Sequence, residues 1–162
     1  MRRLSTPFAV LAMVLSWVAS APAQSGHPDF TGTWILEPAK SQAPMIPQSS
    51  QLVVSQSEKV LTIDRTAKFS GGTQNGKLVY SIDGSISTNT ANPPGAAPIE
   101  FKSKTSWDGP TLVITTTADF NGGYTQVERW TISDGGKQLT VDGDVAISGQ
   151  KATAKMVYSK KS

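Results

Sequence analysis

Two charged residues stand where apolar and polar side chains alternate along the chain. Arg65 lies two residues after Ile63, and Glu128 lies two residues before Trp130. Because side chains two residues apart in a β-strand point to the same face, both charges are expected on the apolar, inward face. An ion in such a place has to be paired and hydrogen-bonded, or its desolvation costs several kcal/mol.

Two interpretations of this pair follow. In the first, Arg65 and Glu128 lie at an open end of the fold or pair with each other as a buried strut. In the second, Arg65 holds the carboxylate of an apolar small molecule with help from Tyr80 or Tyr124, because a guanidinium fork matches a carboxylate bidentately. The side chains of Trp107 and Trp130 would either form walls of a cavity or pack in the hydrophobic core. The candidate ligand-binding residues are Arg65, Tyr80, Phe101, Trp107, Tyr124, Glu128 and Trp130.

The catalytic inventory is small. His27 is the only histidine and precedes the first predicted strand, and the chain has no cysteine. A catalytic triad within the fold and a zinc site are therefore not expected. Glu128 is the only acidic residue that the alternation places inward, so no carboxylate pair for acid and base chemistry is predicted either. We expect no metal, no cofactor and no enzymatic activity.

The elements that must position these side chains are β-hairpins. Tight polar turns recur about 25 residues apart at residues 57–59, 83–84, 108–109 and 134–135, the last three as Asp-Gly. Asp-Gly suits a two-residue hairpin loop, because both central residues need positive φ. Hairpins are predicted between 52–56 and 60–66, 78–82 and 85–89, and 99–107 and 112–119.

The predicted total is about eight to ten strands, and those outside the three hairpins lie at 30–36, 124–132, 139–141, 145–147 and 152–158. A bulge or turn is predicted at 142–144 and a loop at 70–76. Apart from one turn within 37–50, no window shows the apolar period of a helix. A meander with one apolar face has to close or stack on itself. The predicted fold is a single antiparallel up-and-down β-barrel, and the alternative is a β-sandwich.

The first residues predict export. Arg2 and Arg3 precede an apolar stretch that ends at Ala21-Pro22-Ala23, the pattern of a secretory signal peptide over 1–23. This stretch is too short to be a membrane span. A cysteine-free domain at 24–162 favours a bacterial periplasmic or secreted protein. Arg2 and Arg3, which lie in the predicted signal peptide, account for two of the 15 Lys and Arg residues that give the chain its formal net charge of +3. The remaining chain has no stripe of basic residues, so a nucleic-acid partner is not expected.

Gly32-Thr33-Trp34 on the first strand resembles the Gly-x-Trp signature of the lipocalin (calycin) group. With the stretches 29–36, 107–114 and 128–132, the mature chain resembles bacterial secreted proteins described as lipocalin-like. The resemblance implies that Trp34 closes one end of the barrel beneath a basic residue from a late strand. It implies Arg129 for that residue, with Arg65 as its rival.

Two functions stay open from the sequence. The first is binding of a small hydrophobic or anionic amphipathic molecule inside the barrel. The alternative is a filled barrel that contacts a protein partner, as a protease inhibitor does, through the loops at 37–50 or 89–98. A cavity of a few hundred Å3 would favour the first function, since ligand sites have volumes of about 300–1,000 Å3.

Overall fold

The structure, a computed structural model, describes residues 26–93 and 95–162. The predicted signal peptide at 1–23 lies outside the described residues. Within them the chain forms ten β-strands: β1 Gly32–Leu36, β2 Ser49–Gln56, β3 Val60–Phe69, β4 Gly72–Ser81, β5 Ile86–Ala91, β6 Ile99–Asp108, β7 Thr111–Ala118, β8 Tyr124–Ser133, β9 Gln138–Ile147 and β10 Gln150–Lys160. Short 3-10 turns at Pro38–Lys40 and Asp134–Gly136 are the helical elements of this part of the chain, and neither is long enough to cross a bilayer.

The strands form one sheet that wraps round on itself. Its order is β4-β3-β2-β1-β10-β9-β8-β7-β6-β5, so every strand pairs with its sequence neighbour except across β4 and β5. The first and last strands pair antiparallel, with Trp34 opposite Lys160 and Leu36 opposite Tyr158. The prediction of a single antiparallel up-and-down barrel is therefore confirmed, and the sandwich alternative is wrong.

The predicted hairpin between 78–82 and 85–89 does not form. In its place, the Asp83 carboxylate accepts hydrogen bonds from the Ser85 backbone N–H at 3.0 Å and from the Ser85 hydroxyl at 2.6 Å. This side-chain turn directs β5 onto β6, with Ser87 opposite Ser103, and no backbone ladder joins β4 to β5 among the described residues. We call the boundary between these two strands the seam.

Two further turn predictions are wrong. Residues 142–144 continue β9, because Gly143 pairs with Glu128 on one side and Ala154 on the other. The hairpin turns instead at Ser148 and Gly149, which both have positive φ. The predicted loop at 70–76 is shorter than expected, since β4 already begins at Gly72.

The segment after β1 stays close to the barrel. Gln42 and Lys155 exchange two backbone hydrogen bonds of 2.7 and 2.6 Å, and the Gln48 N–H donates to the Lys68 carbonyl at 2.8 Å. Residues 43–47 are thus held at both ends, and we call them the strap.

The core lies around the signature tryptophan. Trp34 and Phe30 are fully buried with Leu61, Leu112 and Leu139. The indole N–H of Trp34 donates to the Phe30 carbonyl at 2.8 Å, which satisfies its polar group within the apolar core. The apolar residues that the alternation predicts to face inward in β2, β3, β7 and β9 are buried in the structure.

Candidate functional site

Beyond this core the barrel encloses empty space. One cavity of about 230 Å3 lies beneath the strap, whose Ala43, Met45 and Pro47 contribute to its wall. The rest of the wall is mainly aliphatic, so we call this cavity the aliphatic chamber. Its apolar lining from the strands includes Leu52, Ile63, Val141, Val145, Ala154 and Met156.

A second cavity of about 200 Å3 lies against the seam. Three aromatic residues, Tyr80, Phe101 and Tyr124, contribute to its wall, so we call it the aromatic chamber. The ring of Phe101 meets the edge of the Tyr124 ring with centroids 5.5 Å apart, and Phe120 stacks on Tyr124 at 5.4 Å. Residues 89–91 of β5 complete this chamber on the seam side.

Four residues line both chambers. They are Arg65, Leu78, Gln126 and Glu128, and we call them the boundary residues. Arg65 comes from β3 and Glu128 from β8, strands that are far apart in the sheet order. The two charges that the sequence placed on the inward face therefore line both chambers, where Arg65 is exposed to solvent and Glu128 is half-buried.

A ladder of hydrogen bonds along β8 holds the boundary residues of that strand. The Tyr124 hydroxyl donates to Gln126 Oε1, and Gln126 Nε2 donates to Glu128 Oε1 at 2.8 Å. The indole N–H of Trp130 donates to the other carboxyl oxygen of Glu128 at 3.3 Å. The ladder follows from the period of two, which places these four side chains on one face of the strand. It fixes the orientation of the Gln126 amide and the Glu128 carboxyl before any ligand arrives.

Burial controls the electrostatics of this face. It raises the pKa of Glu128 above its ordinary value, and the Trp130 hydrogen bond and the Arg65 charge oppose this effect only in part. Burial and the Glu128 charge raise the pKa of Tyr124 to about 12. The pKa values of Tyr80 and Tyr158 are also raised, in both cases mainly by burial.

Arg65 has room to meet a ligand. It lies between Leu52 and Gly76 on the adjacent strands, and Gly76 has no side chain to fill the space beside it. Within residues 26–93 and 95–162, the guanidinium makes no hydrogen bond and no ion pair with the protein, and Glu128 is not its salt-bridge partner. The buried strut between Arg65 and Glu128 is therefore not formed, and the exposed guanidinium of Arg65 instead fits the other arm of that interpretation, a position at an open part of the barrel.

Trp107 is placed differently from the expectation for a ligand-binding residue. It is half-buried, stacks on His27 with ring centroids 4.1 Å apart, and lies 6.2 Å from the Phe30 ring, at the core end of the barrel. It lines neither chamber. Trp130 does line the aliphatic chamber, and its ring also meets Phe30 edge-on at 5.8 Å, so it separates chamber from core.

The basic residue over the signature tryptophan is Lys160, which corrects the assignment of Arg129. The Lys160 ammonium lies 5.2 Å from the centre of the Trp34 ring. Arg129 points outward and forms a 2.7 Å salt bridge with Asp144 on the surface. Outward-facing residues of β8 cannot reach a tryptophan on the inner face, and Arg65 lies in the chambers instead.

The contact between Lys160 and Trp34 depends on the glycine at position 32. Its φ of +147° is a conformation that other residues rarely adopt, and a Cβ atom there would lie 2.6 Å from Lys160 Cε. The glycine thus lets the Lys160 side chain pass over β1 to the Trp34 ring.

Several residues of the site were absent from the sequence-based set, among them the boundary residue Leu78, which falls on the inward face by alternation. Gln126 and Tyr158 both fall on the inward face by alternation, which could have identified them. Phe120 lies in the turn between β7 and β8, where no periodicity exists, so its packing against Tyr124 had no sequence signal.

No protein-family model matches the chain, and no curated protein matches it. Among solved structures, zebrafish ileal bile acid-binding protein in complex with cholic acid is 17% identical with a TM-score of 0.46, over 82% of this chain and 98% of that chain. A protein named EF1p2_mFAP2b, bound to DFHBI, is 15% identical with a TM-score of 0.43, over 82% and 94% of the two chains. The strand order of the described residues themselves carries the fold assignment: a nearly closed, antiparallel up-and-down β-barrel.

Proposed function

We propose that the protein binds a small amphipathic anion inside the barrel, with Arg65 pairing with the anionic group. The observation that carries this proposal is the position of Arg65, which faces both chambers and has no protein partner among the described residues. A guanidinium is always charged at physiological pH and offers a planar fork of donors to a carboxylate or sulfonate. Because the guanidinium is exposed, water solvates it in the free protein, and a ligand anion would replace that water with a charged partner.

The surrounding charges favour an anion over a cation. Burial raises the pKa of Glu128 and so disfavours its negative charge beside Arg65. Tyr80 and Tyr158, whose pKa values are also raised, stay protonated and add no negative charge.

The walls favour a molecule that is otherwise apolar. The aliphatic chamber takes a chain or small ring by burial of apolar surface, worth about 25 cal/mol per Å2 removed from water. The alternative, a filled barrel that binds a protein through 37–50 or 89–98, gives no role to this space. Ala43, Met45 and Pro47 of the first loop line the chamber, and Met45 is also 72% exposed to solvent.

We also propose that the protein acts after export, in the periplasm or outside the cell. Support comes from the signal-like residues 1–23 and from the absence of cysteine in the whole chain. Binding rather than catalysis is proposed, because the boundary offers one carboxyl group and one guanidinium without a nucleophile beside a base.

The test compares two fluorescent probes that share one aromatic framework. Anilinonaphthalene sulfonate is anionic, and N-phenylnaphthylamine is its neutral counterpart. Arg65→Met should weaken binding of the sulfonate about tenfold or more, the range for loss of a charge-assisted hydrogen bond, and leave the neutral probe unchanged. The matched control is Arg129→Met, which removes an arginine from the outer surface. Equal effects of the two variants on the sulfonate would rule out Arg65 as the anion-binding group.

A further inference from the structure

The division of the interior into two chambers bears on what kind of ligand fits. The aliphatic chamber has a volume of about 230 Å3 and the aromatic chamber about 200 Å3. Each chamber by itself is smaller than a usual ligand site, so a ligand that uses the whole interior has to extend into both.

The groups that recognise charge lie between the chambers rather than at either end. Arg65, Gln126 and Glu128 all belong to the boundary residues. The hydrogen-bond ladder of β8 holds Gln126 and Glu128 there. An anionic group that reaches Arg65 therefore has a chamber on each side of it.

Several polar groups of the aromatic chamber are already paired within the protein. The Ser103 and Thr116 hydroxyls are hydrogen-bonded to each other at 2.8 Å. The Asn89 amide is hydrogen-bonded to the Val79 backbone. What this chamber offers a ligand is mainly the rings of Tyr80, Phe101 and Tyr124, against which aromatic groups pack favourably. The Tyr80 hydroxyl, which makes no hydrogen bond to the described residues, is also available there.

We infer that the preferred ligand carries its carboxylate in the middle of the molecule, between an aliphatic chain and an aromatic ring. This inference rests on the proposed function and specifies its ligand class. The chain occupies the aliphatic chamber, the ring packs in the aromatic chamber, and the carboxylate meets Arg65 at the boundary. A molecule with a terminal carboxylate, placed at Arg65, would fill one chamber and leave the other empty.

Two isomeric probes separate these cases. N-hexanoyl-L-phenylalanine has a central carboxylate flanked by a hexanoyl chain and a phenyl ring. Its isomer, aminohexanoate acylated on nitrogen with a phenylpropanoyl group, has the same atoms and a terminal carboxylate. Calorimetric titration of the whole mature protein should show that the isomer with the central carboxylate binds about tenfold tighter or more. The isomer with the terminal carboxylate loses its apolar contacts in one of the two chambers.

Two variants assign each half of the probe to its chamber. Gly143→Leu narrows the aliphatic chamber, since Gly143 lines it and a Cβ atom there meets Ala154 only at ordinary contact distances of 3.9 and 4.0 Å. It should weaken N-hexanoyl-L-phenylalanine and spare N-acetyl-L-phenylalanine, which lacks the chain. Phe101→Leu should weaken both phenylalanine derivatives about three- to tenfold through loss of the ring contact. The same variant should leave the affinity for hexanoate unchanged, because hexanoate has no ring.

Each outcome decides one point. If the terminal isomer binds as tightly as the central one, the inference is overturned while the proposed function stands. If Gly143→Leu weakens the hexanoyl and acetyl derivatives equally, the chain does not lie in the aliphatic chamber and the inference is again wrong. If the wild-type protein binds none of these anions and no anilinonaphthalene sulfonate, the proposed function itself fails. Comparison of the hexanoyl and acetyl derivatives on the wild-type protein keeps the test valid if a variant does not fold.

Discussion

The side-chain amide of Asn89 takes the place of a backbone ladder at Val79. The Val79 N–H donates to Asn89 Oδ1 at 2.8 Å, and Asn89 Nδ2 donates to the Val79 carbonyl at 3.0 Å. Nearby, the Thr105 hydroxyl donates to the Ser81 carbonyl at 2.7 Å. Side chains thus satisfy backbone groups of β4 that would otherwise form an exposed sheet edge, a site of unwanted strand pairing.

Asn89→Ala should open the seam locally. Loss of both hydrogen bonds is expected to lower the free energy of unfolding by about 1 to 2 kcal/mol. The Val79 amide should exchange its hydrogen with solvent much faster in the variant, as measured by NMR, while amides of the continuous β8–β9 ladder should change little. Asn75→Ala, at an exposed position of β4, the strand that contains Val79, is the control. Unchanged protection of Val79 in Asn89→Ala would contradict this account of the seam.

Glu128→Gln should change the pH dependence of stability. The pKa of Glu128 is raised in the folded protein from its ordinary value of 4.5, so the unfolded chain releases this proton first as pH rises. The free energy of unfolding should therefore fall as pH rises above about 4.5, at up to about 1.4 kcal/mol per pH unit until the folded pKa is passed. The glutamine variant should lack this decline.

Urea denaturation at a series of pH values measures the difference between wild type and Glu128→Gln. Glutamine has one acceptor oxygen where the carboxylate offers two, so some stability is lost at every pH, and the slope is the informative quantity. Glu100→Gln, at an exposed position of β6, should keep the wild-type slope. An identical slope in Glu128→Gln and the wild type would show that Glu128 titrates at its ordinary pKa.

The tyrosines should titrate late in the folded protein. The chain has three, Tyr80, Tyr124 and Tyr158, and burial is the largest cause of the raised pKa at each, with Tyr124 at about 12. Near-ultraviolet absorbance should therefore show little phenolate at pH 10.0, where half of the phenols of the urea-unfolded chain are ionised. By the same linkage, stability should fall as pH rises from 10 towards 12. Coincident titration of the folded and unfolded chains would contradict the burial of these hydroxyls.

Gly32→Ala should destabilise the barrel at its closed end. The positive φ is strained for alanine by about 1–3 kcal/mol, and the new Cβ would displace the Lys160 side chain from the Trp34 ring. Urea denaturation and the emission spectrum of the tryptophans report these two effects. Gly76→Ala is the control, since its Cβ would meet no atom within 4 Å and its φ is ordinary. Equal stability of the two alanine variants would show that Gly32 is not required for close approach.

The period-two alternation alone determined which side chains face inward. Arg65, Glu128, Tyr80 and Tyr124 were placed on that face because the orientation of a side chain in a strand depends only on its neighbours along the chain. The barrel could be predicted for a related reason, since successive hairpins with one apolar face have to close or stack. Turns were less predictable: Asp83-Gly84 has hairpin residues, yet the Asx turn with Ser85 sends β5 to β6.

The tertiary structure alone decided what lies across the interior. Lys160 and Arg129 are both basic residues of late strands, and only the register that sets Lys160 opposite Trp34 selects between them. Likewise, Arg65 and Glu128 come close because sheet closure brings β3 to face β8, and whether they pair depends on distances that no local pattern encodes. The sequence by itself therefore determined the lining of the barrel, while closure of the sheet decided which members of that lining meet. The physical reason is that strand periodicity is a short-range property, whereas chambers and their charged boundary arise from contacts between residues distant in the chain.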